Sequence, residues 1–268
     1  MKKFNLKRKL LALGTSTLIL GGALAGCGSG GNAANNTATE SGEKEITVAI
    51  YRDGEMDLLD AASYKGPHVI YKMLYEGFTE DGGKDGITPL LATSWDVSED
   101  QKTYTFHLRK GVKFTDGTDF NAQAVEFNLK RWVNNDRHSS LTSYKVDDIK
   151  VVDDYTIQVT FNSNAYPILT EMSYPRPVRF LSPDSIKDNG EVMGEFSSPV
   201  GTGQWMLESY TKDEEFVLKA NPDYWGEKPK LERIRFKVIK DGQARTMALK
   251  NGEVDIIGGD LVRFQWKT

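Results

Sequence analysis

Four segments of the chain are predicted to be β-strands from their apolar and polar positions. The first is rich in β-branched residues, and the other three alternate apolar with polar residues at the two-residue period of a strand. They are residues 46–50, 103–108, 156–161 and 234–239. In the second segment, Tyr104 and Phe106 share one face while His107 lies on the other. We therefore expect the two aromatic rings in a core and the imidazole exposed.

Two helices are predicted between these strands. Asn121 is a favourable helix N-cap, and apolar residues recur after it at helical spacing, at positions 125, 129, 132 and 133. Residues 243–250 form the second helical pattern, and Asn251 followed by Gly252 is typical of a helix C-terminus. Because strands and helices are interspersed without an internal repeat, the sequence predicts a mixed α/β fold.

The first 44 residues are predicted to target and tether the protein. Residues 1–26 run from basic to apolar to small residues, the order of a signal peptide, and the apolar part is too short to span a bilayer. Leu24-Ala25-Gly26-Cys27 resembles the lipobox of bacterial lipoproteins, so we expect Cys27 to carry a lipid that anchors the protein outside the cytoplasm. The alternative is a buried free thiol after an apolar helix. Residues 27–44 contain no apolar side chain larger than alanine after the cysteine and are predicted to be a flexible linker.

Composition narrows the function of the remaining chain. Removal of the predicted signal peptide leaves 268 − 26 = 242 residues, enough to bury a large core. The 34 basic and 38 acidic residues are interspersed and give a net charge of −4, so the chain lacks the basic stripe of a nucleic-acid-binding protein. Cys27 is the only cysteine, and an internal disulfide is therefore excluded.

Seven short motifs carry a resemblance to a known family. They are Leu91–Trp95, Ser98–Asp100, Thr103–Phe114, Asp116–Thr118, Gly201–Trp205, Asn221–Pro229 and Asn251–Asp255. Residues 45–258 thereby resemble the family 5 solute-binding proteins, which are the peptide and nickel receptors of ABC importers. The resemblance implies a type II periplasmic-binding-protein-like fold whose two lobes close around a ligand. It also implies an ABC permease and its ATPase as partners, a monomeric receptor, no cofactor and no enzymatic activity.

The resemblance covers the first lobe of that fold. We assign residues 45–260 to an incomplete lobe I, because members of the family continue well beyond this point. Residues 261–268 follow no pattern of the family. The second lobe is therefore expected to be largely missing, and a premature stop or a frameshift is the simplest explanation.

Most of the matched residues are predicted to be scaffold. Gly111 and Gly117 are expected to flank a tight turn, and Gly201 and Gly203 to adopt backbone angles that other residues resist. Four aromatic residues are expected to supply packing area: Trp95, Trp205, Tyr224 and Trp225.

Arg176 is the strongest candidate for a ligand contact. It lies between Pro175 and Pro177, which fix an extended backbone, and a guanidinium on a stiff mount can bind a carboxylate through two parallel hydrogen bonds. The segment 174–180 resembles the nickel-receptor branch of the family, and by that resemblance Arg176, Arg137 and His68 face the ligand. The alternatives are a solvated surface arginine and a histidine that only begins a helix.

The predicted ligand is nickel already bound by a small carboxylate-bearing molecule such as histidine. The three histidines lack helical ligand spacing, and two arginines would repel a naked dication, so no direct metal site is predicted. The chain has His68 where the family pattern has a thioether and Ser140 where it has an aromatic residue near Arg137. A dipeptide or oligopeptide is therefore the alternative ligand.

An anchored extracytoplasmic hydrolase is the alternative from another class. The sequence contains neither a His-Glu-x-x-His motif nor a Gly-x-Ser-x-Gly motif. The carboxylate pairs Asp147-Asp148 and Asp153-Asp154 are predicted to be solvated charges on turns rather than a matched acid and base.

Overall fold

Eleven strands and four helices are present in the part of the chain that the computed structural model describes, namely residues 44–53, 56–62, 68–134, 144–175, 178–187 and 191–258. The strands are β1 (Glu45–Ile50), β2 (Thr79–Asp81), β3 (Ile87–Pro89), β4 (Ala92–Val97), β5 (Thr103–Leu108), β6 (Val146–Asp153), β7 (Thr156–Phe161), β8 (Trp205–Thr211), β9 (Glu215–Ala220), β10 (Arg233–Val238) and β11 (Ile256–Ile257). The helices are α1 (His68–Leu74), α2 (Ala122–Val133), α3 (Ile168–Ser173) and α4 (Gly242–Lys250), with 3₁₀ turns at Met56–Leu59, Gly83–Asp85 and Pro183–Ser185. These residues belong to one unit of the chain, residues 42–268. The predicted mixed α/β class is confirmed.

A five-stranded sheet has the order β11-β1-β10-β9-β8. Strand β1 is parallel to both of its neighbours, whereas β9 is antiparallel to both β8 and β10. Its buried face packs on a core that includes Tyr71, Leu74, Phe216 and Leu218, so the sheet supports helix α1. The predicted strands 46–50 and 234–239 are confirmed, with β10 placed one residue earlier than expected.

A four-stranded antiparallel sheet has the order β4-β5-β7-β6. The predicted strands 103–108 and 156–161 are confirmed with the same bounds. Tyr104 and Phe106 are buried as expected, and the Phe106 ring stacks on Phe78 with centroids 4.0 Å apart. The His107 side chain lies on the opposite face, 42% exposed, with Nε2 2.8 Å from the Asp96 carboxylate. Strands β2 and β3 form a third, two-stranded antiparallel sheet.

The predicted start of the first helix, at Asn121, and the predicted end of the second, at Asn251, are confirmed. The Asn121 side chain accepts a hydrogen bond from the amide of Ala124 and caps α2, which buries the predicted apolar face against β6 and β7. Helix α4 is capped by Asp241 and closes at Asn251, and Gly252 follows with φ +73°. None of the described helices is both long enough and apolar enough to cross a membrane.

The motif glycines act in two different ways. Gly111 and Gly117 have φ values of +76° and +89°, as the predicted turn requires. The expectation for Gly201 and Gly203 was wrong, because neither has a positive φ. They are instead in close contact with the C-terminal end of α1: a Cβ on Gly201 would lie 2.0 Å from the Leu74 carbonyl oxygen, and one on Gly203 would lie 2.3 Å from the Met73 oxygen. Their missing side chains therefore create space for α1.

The carboxylate pairs are exposed, but one assignment was wrong. Asp147 and Asp148 lie within β6 rather than on a turn, and Asp153 ends that strand. All four aspartates of the two pairs are exposed to solvent, in agreement with the solvated charges expected from the sequence.

Candidate ligand-binding site

The predicted site residues are only partly within the described structure. His68 is the first residue of α1 and is half-buried. Arg137, Arg176 and the predicted lipidation site Cys27 lie outside the described residues. Their predicted roles remain predictions, and the described part of the site consists of His68 and the residues that precede Arg176 in the sequence.

The structure places His68 beside the segment that precedes Arg176. The imidazole ring meets the Tyr174 ring edge-on, with centroids 5.3 Å apart and planes at 84°. Tyr174 ends α3 in an extended conformation, with φ −69° and ψ 152°, as a residue before a proline should. Its side chain is 57% exposed. Two residues that are 106 positions apart, by 174 − 68, therefore form one aromatic surface.

Arg179 fixes the backbone of this segment from inside the protein. It is 4% exposed, and its Nη2 donates hydrogen bonds to the carbonyl oxygens of Ser173 at 3.0 Å and Tyr174 at 2.9 Å. Its Nε also contacts the Pro175 oxygen at 3.4 Å. A cation is favourable here because Ser173 is the last residue of α3 and the carbonyl end of a helix is electronegative. The residues directly before Arg176 are thus held by one guanidinium.

A buried carboxylate lies next to Arg179. Glu76 is 5% exposed and accepts three hydrogen bonds, from Tyr224 Oη at 2.7 Å, Thr202 Oγ1 at 2.8 Å and Trp225 Nε1 at 2.8 Å. Burial raises the pKa of Glu76, while these donors and the charge of Arg179 oppose the rise. Three distant parts of the sequence therefore meet at this single side chain.

Burial also acts on the arginine of this pair. Loss of hydration lowers the pKa of Arg179 to about 10, against the attraction of Glu76 and Glu80, so the guanidinium stays protonated at neutral pH. Space for it is provided by Gly77, where a Cβ would lie 2.6 Å from Arg179 Nη1. A cavity of about 310 Å³ opens beside the pair and is lined by Lys72, Tyr75, Glu76, Glu80, Leu90, Arg179, Gln204 and Tyr224. Because both signs of charge line it, the cavity suits small polar groups.

Sequence reasoning assigned only part of this arrangement. Tyr224 and Trp225 were predicted to be scaffold, and their polar atoms indeed hold Glu76, while the Trp225 ring lies 4.2 Å from the Arg109 guanidinium. Glu76 and Arg179 were not singled out. The one available signal was the pair of arginines in Arg176-Pro177-Val178-Arg179, but the sequence does not show which of the two is buried.

A second buried arginine, Arg131, links α2 to the chain segment that precedes His68. Arg131 of α2 forms an ion pair with Asp60 at 2.7 Å and donates to the Val192 oxygen at 2.6 Å. The Tyr71 hydroxyl of α1 donates to the Asp60 carbonyl at 2.9 Å. The chain before His68 is therefore fixed to both α1 and α2. Within the described residues, no three side chains of histidine, cysteine, aspartate or glutamate form a group that could hold a metal ion.

Comparisons with known proteins place these features in a family. Residues 86–264 match the family described as bacterial extracellular solute-binding proteins, family 5 middle. The nickel-binding periplasmic protein of Escherichia coli is 38% identical over 190 residues, which are 70% of this chain and 36% of that protein. The dipeptide-binding protein of Escherichia coli is 33% identical over 196 residues, 65% of this chain and 37% of that protein. The resemblance inferred from the motifs is confirmed.

A solved structure agrees with the fold. The crystal structure of NikA from Brucella suis in complex with Fe(III)-EDTA superposes with a TM-score of 0.73 at 32% identity, covering 78% of this chain and 42% of that one. The predicted fold class, a type II periplasmic-binding-protein-like fold of which the chain forms one part, is confirmed. The chain spans between 36% and 42% of the length of the three proteins it is compared with here.

Proposed function

The chain belongs to the bacterial extracellular solute-binding proteins of family 5, and on this premise we propose that it captures nickel as a small carboxylate-bearing chelate and delivers it to an ABC permease. The observation that carries the proposal is the fixed segment around Tyr174, which leads directly to Arg176 and meets His68. Nickel–histidine is the chelate expected from the sequence.

Two of the related proteins support a metal chelate as the ligand. The nickel-binding periplasmic protein is 38% identical, and the NikA structure holds iron wrapped in EDTA, a ligand that presents carboxylates around its metal. Arginine pairs with carboxylate through two parallel hydrogen bonds, and Arg176 and Arg137 are the residues predicted to do so. His68 and Tyr174 would form an adjoining aromatic wall.

A dipeptide or oligopeptide is the second candidate ligand. The dipeptide-binding protein is 33% identical over a similar part of the chain, and a peptide C-terminus offers the same carboxylate to an arginine. Both candidate ligands carry a carboxylate, but only the chelate contains a metal ion. A binding measurement with both is therefore decisive.

The remaining parts of the proposal concern location and partners. Residues 1–26 would direct export, lipidated Cys27 would hold the protein on the outer face of the membrane, and residues 27–44 would be its tether. An ABC permease with its ATPase would receive the ligand from a monomeric receptor. Intact mass measurement of membrane-extracted protein checks the anchor, and unmodified protein in the soluble fraction would contradict it.

The role of Arg176 is tested by calorimetry with nickel and two equivalents of L-histidine. Arg176→Gln should weaken binding by about tenfold or more, because a hydrogen-bonded charge pair is lost. Arg233→Gln removes the same charge from the five-stranded sheet, where the arginine pairs with Glu208, and should leave the affinity unchanged. Equal affinities in the Arg176→Gln variant and the unsubstituted chain would contradict the assignment.

A further inference from the structure

We propose that Arg179 is a positioning residue for ligand binding: it fixes the backbone at Tyr174 and thereby the aromatic surface that Tyr174 forms with His68. This inference rests on the proposed function, since Tyr174 lies two positions before the predicted ligand contact Arg176 in the sequence. Arg179 itself is only 4% exposed, so its proposed role is to hold Tyr174 rather than to contact the ligand.

One side chain holds several backbone groups of this segment. Arg179 contacts the carbonyl oxygens of three consecutive residues, 173, 174 and 175, at 3.0, 2.9 and 3.4 Å. Only the flat fork of a guanidinium offers several donors in one plane, whereas a lysine would bring a compact ammonium. The contacts therefore fix the backbone from Ser173, the last residue of α3, to Pro175, where one helix-type hydrogen bond continues beyond the helix, from the Tyr174 amide to the Glu171 carbonyl oxygen at 3.3 Å.

Arg179 is itself held by residues on its other side. Its guanidinium crosses Gly77 and is attracted by the buried carboxylate of Glu76. The Phe180 amide donates to the Glu76 carbonyl oxygen at 3.0 Å, so the backbones of the two segments are also joined. Because Glu76 is in turn bound by Thr202 and Tyr224, the position of Tyr174 depends on a network that reaches the segment before β8 and the loop after β9.

Tyr174 is exposed, whereas the arginine that holds its backbone is buried. The Tyr174 side chain is 57% exposed, so little packing fixes its direction from outside. Its contact with the His68 ring at 5.3 Å nevertheless requires a defined backbone. Arg179 supplies that definition through the Tyr174 carbonyl oxygen. Arg179 thus determines the position of Tyr174 in the aromatic surface that Tyr174 forms with His68, although Arg179 itself is buried.

Histidine NMR tests this inference directly, since the chain has three histidines. The Hε1 proton of His68 feels the ring current of Tyr174, so Tyr174→Leu should move its chemical shift. Arg179→Lys should move the same signal in the same direction and leave that of His107 in place. Val254→Ala removes buried methyl groups in a separate small cluster with Ala49 and Ala248, and it should destabilise the chain without moving the His68 signal.

Binding provides the second readout, with nickel and two equivalents of L-histidine as the probe. Arg179→Lys should raise the dissociation constant by about tenfold, while Val254→Ala should leave it within about twofold. If Arg179→Lys does not fold, the neutral double variant Glu76→Gln/Arg179→Met avoids an unpaired buried charge and should show the same two effects.

The outcomes separate this inference from the proposed function. An unchanged His68 signal in the Arg179 variants, or an equal shift in Val254→Ala, would overturn the positioning role. Unchanged affinity in variants whose His68 signal has moved would also overturn it. Absence of binding to the unsubstituted chain would refute the nickel-chelate function, while a shifted His68 signal in that case would still support the positioning of Tyr174 by Arg179.

Discussion

Replacing Gly201 by alanine should destabilise the protein because the new methyl group has no space. The Cβ would lie 2.0 Å from the Leu74 carbonyl oxygen, whereas ordinary contacts begin at 3.4 Å, so the backbones must separate by about 3.4 − 2.0 = 1.4 Å. Overpacking of this kind costs about 1–3 kcal/mol. The separation also stretches the hydrogen bond from the Gly203 amide to the same oxygen, at 3.0 Å, which adds about 1 kcal/mol. We expect a total loss of about 2–4 kcal/mol.

A matched glycine distinguishes lack of space from backbone conformation. Gly252 has φ +73° and no atom within 4 Å of its Cβ position, so Gly252→Ala should cost about 1 kcal/mol through conformation alone. Asparagine tolerates that conformation, and Gly252→Asn should therefore recover part of the loss. Gly201→Asn should instead be at least as damaging as Gly201→Ala, because it is larger.

Urea unfolding of the four variants measures these differences as free energies of unfolding. A Gly201→Ala variant within about 0.5 kcal/mol of the unsubstituted chain would refute the steric argument. So would recovery by asparagine at position 201, since that would indicate a conformational requirement after all. Because Gly201 contacts the end of α1, the His68 signal at the start of that helix should also move in Gly201→Ala.

Three further substitutions test the buried polar groups. Burial raises the pKa of Glu76 above 4.5, so the contribution of this group to stability is complete below that pH and is lost as the pH rises through the folded-state pKa. Glu76→Gln should remove this decline in the free energy of unfolding measured with urea. Parallel curves of unfolding free energy against pH for the variant and the unsubstituted chain would contradict this. Asn128→Ala should lower the free energy of unfolding by about 3 kcal/mol, since it leaves the buried amide and carbonyl of Leu181 without their partner. A loss below about 1 kcal/mol in thermal unfolding would count against this. Arg131→Met should lower the free energy of unfolding by about 3–5 kcal/mol, because it leaves the Asp60 charge unpaired. The double variant Arg131→Met/Asp60→Asn should recover part of this loss. If chemical unfolding shows no recovery, the ion-pair explanation is wrong.

Local patterns allowed the secondary structure to be predicted. The strand bounds at 103–108 and 156–161 followed from alternation, and the cap at Asn121 followed from its side chain and the apolar spacing after it. These features depend on neighbours within a few residues, which a sequence displays directly. The same is true of Gly252, whose positive φ follows from its place after a helix.

The buried residues that hold the site in place could not be predicted, because the residues they contact are distant in the sequence. Glu76 and Trp225 are 149 residues apart, and nothing near either one indicates the other. Gly201 and Gly203 were expected to need unusual backbone angles, but their requirement comes from α1, which reaches them only through tertiary packing. The motifs identified the family, while the reason for each motif residue required the fold.

The proposed function depends on recognition of the carboxylate of a nickel chelate. Calorimetry of the chain with nickel alone, nickel with L-histidine and nickel with L-histidinol tests it most directly, because histidinol keeps the imidazole and the amine but lacks the carboxylate. The account predicts no binding of nickel alone, binding of nickel–histidine, and binding of nickel–histidinol that is weaker by about tenfold or more. Equal affinity for the histidine and histidinol chelates, or tight binding of a dipeptide without binding of nickel–histidine, would contradict it.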